Sequence, residues 1–194
     1  MSRRRKQTSV VSVIVAVLSL FVWLSQEYGW FANAKQDMVA SQPGQYKVVR
    51  FSDGDTITVD MNGKNETIRM IGVDTPETHD PRKPVQCYGP AASAFTKNTI
   101  TAAGSQVRLA GDSLSSNRDR YDRLLRYVYL PDGTLFNERL IREGYGFYYP
   151  YFPFTKEKEF EAAQKTAREG NKGIWGNCNP KPTDRGGWVS NDAE

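Results

Sequence analysis

The sequence predicts an α+β fold, in which a five-stranded barrel packs with about three helices behind an N-terminal hydrophobic segment. Three short stretches with strand-like alternation come before one helix-like stretch, two more follow it, and two further helical patterns end the chain. Three strands, a helix and two strands in that order is the plan of an OB-fold barrel. The 194 residues provide one core of ordinary size, with little left for a second domain.

The first three strands are predicted before residue 71. Residues 46–51 form the first strand, and the next two form a hairpin. The pair Asn62-Gly63 predicts a type I′ turn between the two strands of this hairpin. Apolar residues alternate with polar ones on both sides of the turn, at Ile57, Val59, Met61, Ile68 and Met70.

A helix and two more strands follow the hairpin. The helix begins at Gly89-Pro90, where proline at the first helical position sacrifices no hydrogen bond, and ends at Gly104. The fourth strand covers residues 107–111 and the fifth covers residues 124–130, which Pro131-Asp132-Gly133 turns back. The helix positions expected to face inward are Ala92, Phe95 and Ile100.

Two helices are predicted in the last third of the chain. Asn137 caps a short helix that ends at Gly144, and Thr155 precedes a longer one. The buried stripe of the longer helix is Phe160, Ala163 and Ala167. The folded domain is therefore predicted to span residues 46–177. Residues 178–194 are polar, with prolines and glycines, and are predicted to be disordered.

Residues 1–34 have the pattern of an export signal. Four basic residues at positions 3–6 precede a mostly apolar run at residues 10–24. Ala32-Asn33-Ala34 has the form of a cleavage site, so the mature chain could be secreted. An uncleaved single span that anchors the chain in the membrane is the alternative, and a buried soluble helix is less compatible with the flanking charges. Residues 35–45 would then be a linker to an extracytoplasmic domain. The aromatic residues that favour the anchor are Tyr28, Trp30 and Phe31.

The overall charge does not predict nucleic-acid binding. The formal net charge is +4, but four of the 26 basic residues lie at positions 3–6. From Lys35 onward, 22 basic residues face 21 acidic ones. Any attraction for phosphate must therefore come from local clusters of charge.

The two cysteines, Cys87 and Cys178, favour a disulfide in an exported protein. Two free thiols are the alternative. His79 is the single histidine of the sequence. A zinc site would therefore have too few ligands, and Ser-His or Cys-His catalysis would have no good base.

The two ends of the predicted hairpin carry residues suited to chemistry. Strand pairing would bring Asp55 near Asp74, with Arg69 on the same ladder and Glu77 just past a proline. Three carboxylates so close repel one another unless a cation offsets them, and oxygen ligands suit Ca²⁺ or Mg²⁺. The alternative is a solvated strand end, because an Asp-Gly-Asp sequence on its own most often forms a turn.

The order and spacing of several motifs resemble the staphylococcal nuclease family. The resemblance extends from about Tyr46 to Gly176 and includes nearly the whole predicted domain. The motifs are Asp53-Gly54-Asp55-Thr56, Arg69 followed by Asp74-Thr75-Pro76-Glu77, Tyr88-Gly89-Pro90, Asp119-Arg120-Tyr121-Asp122-Arg123, Asn137-Glu138 and Gly173-Ile174-Trp175.

The resemblance implies a Ca²⁺ site and a catalytic group. The implied Ca²⁺ ligands are Asp55, Asp74 and the carbonyl of Thr75. Phosphodiester hydrolysis requires an in-line water and forked donors that stabilise the developing negative charge. The residues implied for these tasks are two arginines that grip the scissile phosphate and a general base or water-positioning group, namely Arg69, Arg123 and Glu77. For each arginine, a structural ion pair is the alternative.

The resemblance also implies contacts with the nucleotide. Lys83, Arg120 and Tyr121 match positions that contact its phosphate and sugar. Tyr149 and Tyr151 resemble a Tyr-x-Tyr element that stacks on the base, although packing in the core is an alternative for both.

Two features depart from the family pattern. Pro131 looks like a one-residue insertion. Asp122 stands where the family commonly has glycine, so it adds a negative charge beside the phosphate grip and needs a backbone conformation that glycine accepts more easily.

Two functions are compatible with these residues. The favoured one is a monomeric, Ca²⁺-dependent nuclease that hydrolyses DNA and RNA outside the cytoplasm with little sequence preference. The resemblance implies products with 3′-phosphates. The alternative is a non-catalytic module that binds single-stranded nucleic acid or a protein partner through the same face. The acidic cluster and both arginines are present in the sequence, which favours the enzyme.

Overall fold

The computed structural model describes Val15, Ser19, residues 41–78 and residues 84–193. The chain divides into two compact units, Met1–Val39 and Ala40–Glu194. In the first unit, Val15 and Ser19 are helical and exposed. Within the described residues, none of the helices has the length and apolar character needed to cross a bilayer. The predicted export segment lies almost entirely outside the described residues, so it stays a prediction.

A closed five-stranded barrel forms the centre of the second unit, which confirms the predicted fold class. Its strands follow the order β1, β2, β3, β6, β5, and all neighbours are antiparallel except the parallel pair β3 and β6. The barrel strands are β1 (Ser41–Asp53), β2 (Thr56–Met61), β3 (Lys64–Met70), β5 (Gln106–Ala110) and β6 (Leu124–Tyr129).

The hairpin of β2 and β3 has the predicted turn. Asn62 and Gly63 have φ angles of 58° and 87°, as a type I′ turn requires. This turn sets the register in which Thr56 lies opposite Arg69. The alternating apolar side chains of the hairpin point into the barrel, where Ile57, Val59 and Ile68 are fully buried.

The first strand is longer than predicted. Residues 41–45 were expected in a linker, but β1 begins at Ser41 because Ser41 and Gln42 pair with Ala110 and Leu109 of β5. The barrel closes through this pairing, which no local sequence pattern indicates.

In residues 41–78 and 84–193, four helices and two small sheets accompany the barrel. Helix α1 (Gly89–Ala102) packs against β1 and β5. The buried stripe of α3 (Glu157–Glu169) is the predicted one, with Phe160, Ala163 and Ala167 at 5% exposure or less. The remaining elements are β4 (Val73–Asp74), α2 (Phe136–Arg142), β7 (Phe147–Tyr148), α4 (Ile174–Asn177), β8 (Lys181–Pro182) and β9 (Trp188–Val189).

Asn137 does not cap α2, contrary to expectation. The capping position is Leu135, and the Asn137 side chain is fully buried inside the first turn. Its Oδ1 accepts a hydrogen bond from the Val128 amide, and its Nδ2 donates to the carbonyls of Ile71 and Arg126. The side chain therefore satisfies backbone groups on neighbouring strands instead of those of its own helix.

The C-terminal residues, predicted to be disordered, are ordered as far as residue 193. Strands β8 and β9 pair in a short antiparallel hairpin, and the ring of Trp188 packs edge-on against Trp175, with centres 5.0 Å apart. The low hydrophobicity of the segment suggested disorder, but contacts with the folded domain compensate for its lack of a core of its own.

Candidate active site

Arg69 lies at the centre of the candidate site. Its side chain is 14% exposed, and its Nη1 lies 3.0 Å from Oδ2 of Asp55. Its Nη2 lies 2.8 Å from Oδ1 of Asp74, and Nη1 also donates to the carbonyl of Val73 at 2.7 Å. One guanidinium therefore joins the start of β2 to β4 and holds the two predicted carboxylates together.

The electrostatics of Arg69 follow from these neighbours. Burial alone would lower its pKa, but the negative charges of Asp55 and Asp74 outweigh burial and raise the pKa above its ordinary value. Tyr149 and Asp119 act in the same direction. The guanidinium is therefore permanently charged and offsets part of the repulsion between the carboxylates.

Asp55 is fixed by the threonines on either side of the site. It is 5% exposed. Its Oδ2 accepts hydrogen bonds from the amide and the hydroxyl of Thr75, at 2.8 and 3.0 Å, and its Oδ1 accepts one from the hydroxyl of Thr56 at 2.9 Å. Gly54 permits this approach, because a Cβ at that position would lie 2.8 Å from the Thr75 methyl group. A side chain at this position would clash with Thr75, which explains the glycine of the Asp-Gly-Asp-Thr motif.

Gly72 brings β4 back to the site. Its φ angle is 71°, and a Cβ there would lie 2.5 Å from the ring of Phe154. A side chain is therefore excluded both by conformation and by space. The turn at Gly72 places Val73 and Asp74 where Arg69 can reach both.

The donor set fits a hard divalent cation. Asp55, Asp74 and the carbonyl of Thr75 offer oxygen atoms, which Ca²⁺ prefers, and each carboxylate oxygen can accept more than one interaction. The Asp74 side chain is 44% exposed, so this carboxylate is accessible from solvent, whereas Asp55 is buried. In residues 41–78 and 84–193, however, no three Asp, Glu, His or Cys side chains are grouped closely enough to hold a metal. The expectation that Glu77 shares one site with both aspartates stays a prediction.

Glu77 forms hydrogen bonds through its backbone and its side chain. The amide of Gln86 donates to the Glu77 carbonyl at 2.9 Å, and the Glu77 amide donates to Oε1 of Gln86 at 2.8 Å. Its Oε1 accepts a hydrogen bond from the Thr78 amide, and the Thr78 hydroxyl donates to Asp53. The contact with Gln86 was not predicted, because no local sequence pattern indicates that residues 77 and 86 meet.

Arg123 is held by Asp119 in the loop between β5 and β6. Its Nε and Nη2 both lie 2.7 Å from Oδ2 of Asp119, whose Oδ1 accepts hydrogen bonds from the amides of Tyr121 and Arg123. The guanidinium also lies over the Tyr121 ring, 5.3 Å from its centre. The two predicted catalytic arginines thus belong to separate ion pairs, and Asp119 links them electrostatically by raising the pKa of Arg69. The role of Asp119 was not predicted.

The predicted nucleotide contacts in this loop lie at the surface. Tyr121 is 63% exposed, and its hydroxyl accepts a hydrogen bond from Arg120 at 2.7 Å. Asp122 has a φ of 64°, a left-handed conformation that glycine accepts more easily than other residues. Its carboxylate is 88% exposed and lies 3.5 Å from Nε of Arg118. The extra negative charge is therefore solvated and partly offset by Arg118.

Tyr149 and Tyr151 form an edge-to-face pair with ring centres 4.7 Å apart. Both are half-buried, so they are not core residues. The Tyr149 amide donates to the Gly72 carbonyl at 3.0 Å. Burial raises the pKa of Tyr149, and the charge of Asp74 raises it further. Tyr149 therefore lies within electrostatic reach of the acidic pair, whereas the Tyr151 hydroxyl hydrogen-bonds to Thr183 near the C terminus.

The remaining site residues divide into two cases. Lys83 lies outside the described residues, and its contact with the nucleotide stays a prediction. Cys87 and Cys178 are joined in a disulfide, with their Cα atoms 6.1 Å apart.

Comparison with known proteins places this geometry in a family. The family model for staphylococcal nuclease homologues matches residues 67–177. The chain is 43% identical over 173 residues to a thermonuclease of Staphylococcus hyicus, an alignment that covers 88% of this chain and 97% of that protein. It is 40% identical over 169 residues to a thermonuclease of Staphylococcus intermedius, covering 87% and 96% respectively. It is also 41% identical over 129 residues to endonuclease YncB of Bacillus subtilis strain 168, covering 65% of this chain and 59% of that protein. The chain belongs to the staphylococcal nuclease family.

Proposed function

We propose that this chain is a Ca²⁺-dependent nuclease that hydrolyses phosphodiester bonds of DNA and RNA with low sequence specificity. The observation that carries the proposal is the bridge from Arg69 to Asp55 and Asp74, which assembles acidic and basic groups at one end of the barrel. The relatives support it, since two are named thermonucleases and one an endonuclease.

Arg69 and Arg123 are the proposed donors to the phosphate. Negative charge grows on the phosphoryl oxygens as the water attacks, and forked guanidinium donors bind that charge more strongly than the ground state. Each arginine is already oriented by a carboxylate, Arg69 by Asp55 and Arg123 by Asp119. The two guanidinium groups therefore need little reorientation when the substrate binds.

Glu77 is the proposed general base or water-positioning group. Its backbone is held on both sides by Gln86, and its Oε1 accepts a hydrogen bond from the Thr78 amide at 2.9 Å. These bonds restrict the position from which the carboxylate can reach a water. Such restriction favours proton transfer along one line of attack.

Asp55, Asp74 and the Thr75 carbonyl would hold the Ca²⁺. When bound, the ion would neutralise negative charge and polarise a phosphoryl oxygen. The contribution of the chain is to keep the Asp55 carboxylate in one orientation through Thr75 and Thr56.

Aromatic and basic residues provide the proposed contacts with the nucleotide. Tyr149 and Tyr151 would stack on a base, while Arg120, Tyr121 and Lys83 would contact phosphate and sugar. Stacking tolerates every base because each has a π face, which is consistent with low sequence specificity.

Cleavage and binding of one single-stranded DNA test this proposal, at fixed salt because phosphate binding depends on salt. Arg69→Ala and Arg123→Ala should each lower kcat by about a hundredfold or more while Kd changes much less. Lysine should restore little activity, because it lacks the forked geometry. Glu77→Gln should bind Ca²⁺ and DNA but cleave slowly.

Arg185→Ala is a matched control, because Arg185 is exposed at the tip of the hairpin of β8 and β9. Turnover that survives excess chelator would contradict the Ca²⁺ requirement. Equal losses in kcat and affinity, or wild-type turnover no greater than that of a heat-inactivated sample, would indicate a binding module without catalysis.

We further propose that the domain acts as a monomer outside the cytoplasm. The basic start, the apolar run at residues 10–24 and the disulfide support this location. In fractions of the native host, an anchored form would remain with membranes and a cleaved form would begin near Lys35. A cytoplasmic domain with both cysteines reduced would contradict the proposed location.

A further inference from the structure

The C-terminal strap, defined here as residues 178–193, pairs with the chain next to the proposed general base. The Ala193 amide donates to the Val85 carbonyl and the Cys87 amide donates to the Asn191 carbonyl, both at 2.8 Å. Between them, Gln86 and Asp192 form an antiparallel bridge. The end of the strap therefore adds a short strand to residues 85–87.

Independent anchors fix the strap to the domain. One end is covalently joined through Cys178 to Cys87. Near the other end, Ser190 is 5% exposed and its hydroxyl donates to the Cys87 carbonyl at 2.9 Å. In the middle, Trp188 packs on Trp175 and lies beneath the guanidinium of Arg168, 5.2 Å from the ring centre. The strap is thus held along its length.

The first contact of functional interest passes through Gln86. The strap pairs with the backbone of Gln86, and Gln86 bonds to Glu77 through both its amide and its side-chain oxygen. Displacement of the strap would remove the strand that holds Gln86. Glu77 would then be held by a Gln86 that no longer pairs with the strap, so its position would be less well defined.

The second contact reaches the predicted base-stacking pair. The hydroxyls of Thr183 and Tyr151 are hydrogen-bonded to each other. Thr183 is itself fixed, because its amide donates to the Gly187 carbonyl at 2.8 Å. Gly187 lies against the same ring, and a Cβ there would come within 2.5 Å of the Tyr151 hydroxyl oxygen. The strap therefore contacts the aromatic pair tightly.

We propose that the C-terminal strap positions two separate parts of the active site, Glu77 through Gln86 and Tyr151 through Thr183. This inference rests on the proposed nuclease function and extends it. Gln86 and Thr183 are positioning residues, since each acts through another residue. The two contacts predict different kinetic defects, because Glu77 is assigned to the chemical step and Tyr151 to substrate binding.

Kinetics of four variants test the proposal. Gln86→Met keeps the shape but removes the acceptor for the Glu77 amide, and deletion of residues 190–194 removes the paired strand. Both should lower kcat about tenfold with little change in KM. Gln86→Glu keeps an acceptor and should retain more activity than Gln86→Met. Thr183→Val should raise KM about threefold or more and leave kcat nearly unchanged.

Gln45→Met and Thr101→Val are matched controls, because both native side chains are exposed and lie outside the strap. Neither should change kcat or KM. If the wild type cleaves DNA but Gln86→Met, Thr183→Val and the 190–194 deletion all retain wild-type kcat and KM, the proposal is wrong and the nuclease function stands.

A second measurement does not depend on activity. Hydrogen exchange at the Glu77 amide should be faster in Gln86→Met and in the 190–194 deletion, in protein without metal or substrate. Unchanged exchange in both variants would overturn the role of the strap. Faster exchange in a protein whose wild type does not cleave DNA would support the strap and reject the nuclease function.

Discussion

At the scale of single residues, the site depends on carboxylates that orient arginines. Asp119 illustrates this. Its Oδ2 interacts with Nε and Nη2 of Arg123, and its Oδ1 accepts hydrogen bonds from the backbone amides of Tyr121 and Arg123. Burial alone would raise the pKa of Asp119, but these hydrogen bonds and the charge of Arg123 hold it below its ordinary value. The Asp119 carboxylate is therefore ionised at neutral pH.

Asp119→Asn should lower kcat/KM about tenfold, because Arg123 loses the charge that orients it. It should also destabilise the protein by about 1 to 2 kcal/mol at neutral pH. Since folding lowers the pKa of Asp119, its stabilisation is fully present above the unfolded-state pKa of about 3.9 and is lost as pH falls through the lower folded-state value. Urea unfolding of both proteins from pH 7 to pH 2 would measure this.

The exposed Asp184 provides the matched control, Asp184→Asn. Its stability should equal that of the wild type across the whole pH range. A stability difference between Asp119→Asn and wild type that stays constant down to pH 2 would contradict the assigned ion pair.

At the scale of secondary-structure elements, α2 is joined to the barrel by a buried amide. Asn137 bonds to the backbone at Val128, Ile71 and Arg126, and so connects β6 with the segment that leads to β4. The same segment carries Asp74 into the site. Helix α2 therefore stabilises the segment that carries Asp74, although the helix contributes no residue to the candidate site.

Asn137→Ala should destabilise the protein by about 3 kcal/mol, because it leaves the Val128 amide and the Ile71 carbonyl buried without their partner. Asn98→Ala is the control, since Asn98 is exposed on α1 and alanine favours helix. Urea unfolding would compare them. Equal midpoints for the two variants would show that the buried hydrogen bonds contribute little.

At the scale of the whole molecule, the disulfide connects two distant parts of the second unit. Cys87 and Cys178 are 91 residues apart in sequence, so the bridge removes a large amount of freedom from the unfolded chain. It also holds the C-terminal strap beside Gln86. Stability and positioning of the site are therefore coupled through one covalent bond.

Replacement of both cysteines by serine should destabilise the protein by about 4 to 5 kcal/mol in the chain-entropy treatment. Unfolding in urea without reductant would measure the loss against wild type. Wild type with added reductant should approach the double variant, and an unchanged midpoint in the variant would contradict the predicted contribution of the bridge.

The amino-acid sequence alone predicts the strands of the barrel and the residues at the centre of the site. Alternation of apolar residues predicted the strands, and the Asn62-Gly63 turn set the register that places Thr56 opposite Arg69. Because register determines neighbours in a hairpin, the approach of Arg69 to Asp55 followed from local rules, whereas Asp74 reaches Arg69 through the turn at Gly72.

The contacts that support this centre join residues distant in the chain and could not be predicted from local patterns. Asn137 reaches Ile71 across 66 residues, and the strap reaches Cys87 across 103 residues through Ser190. A polar residue near a helix start indicates a cap, and a polar tail indicates disorder, when each is judged by its own neighbours in sequence. Both expectations failed because the partners of these residues are distant in the chain, and only the folded barrel brings them within hydrogen-bonding distance.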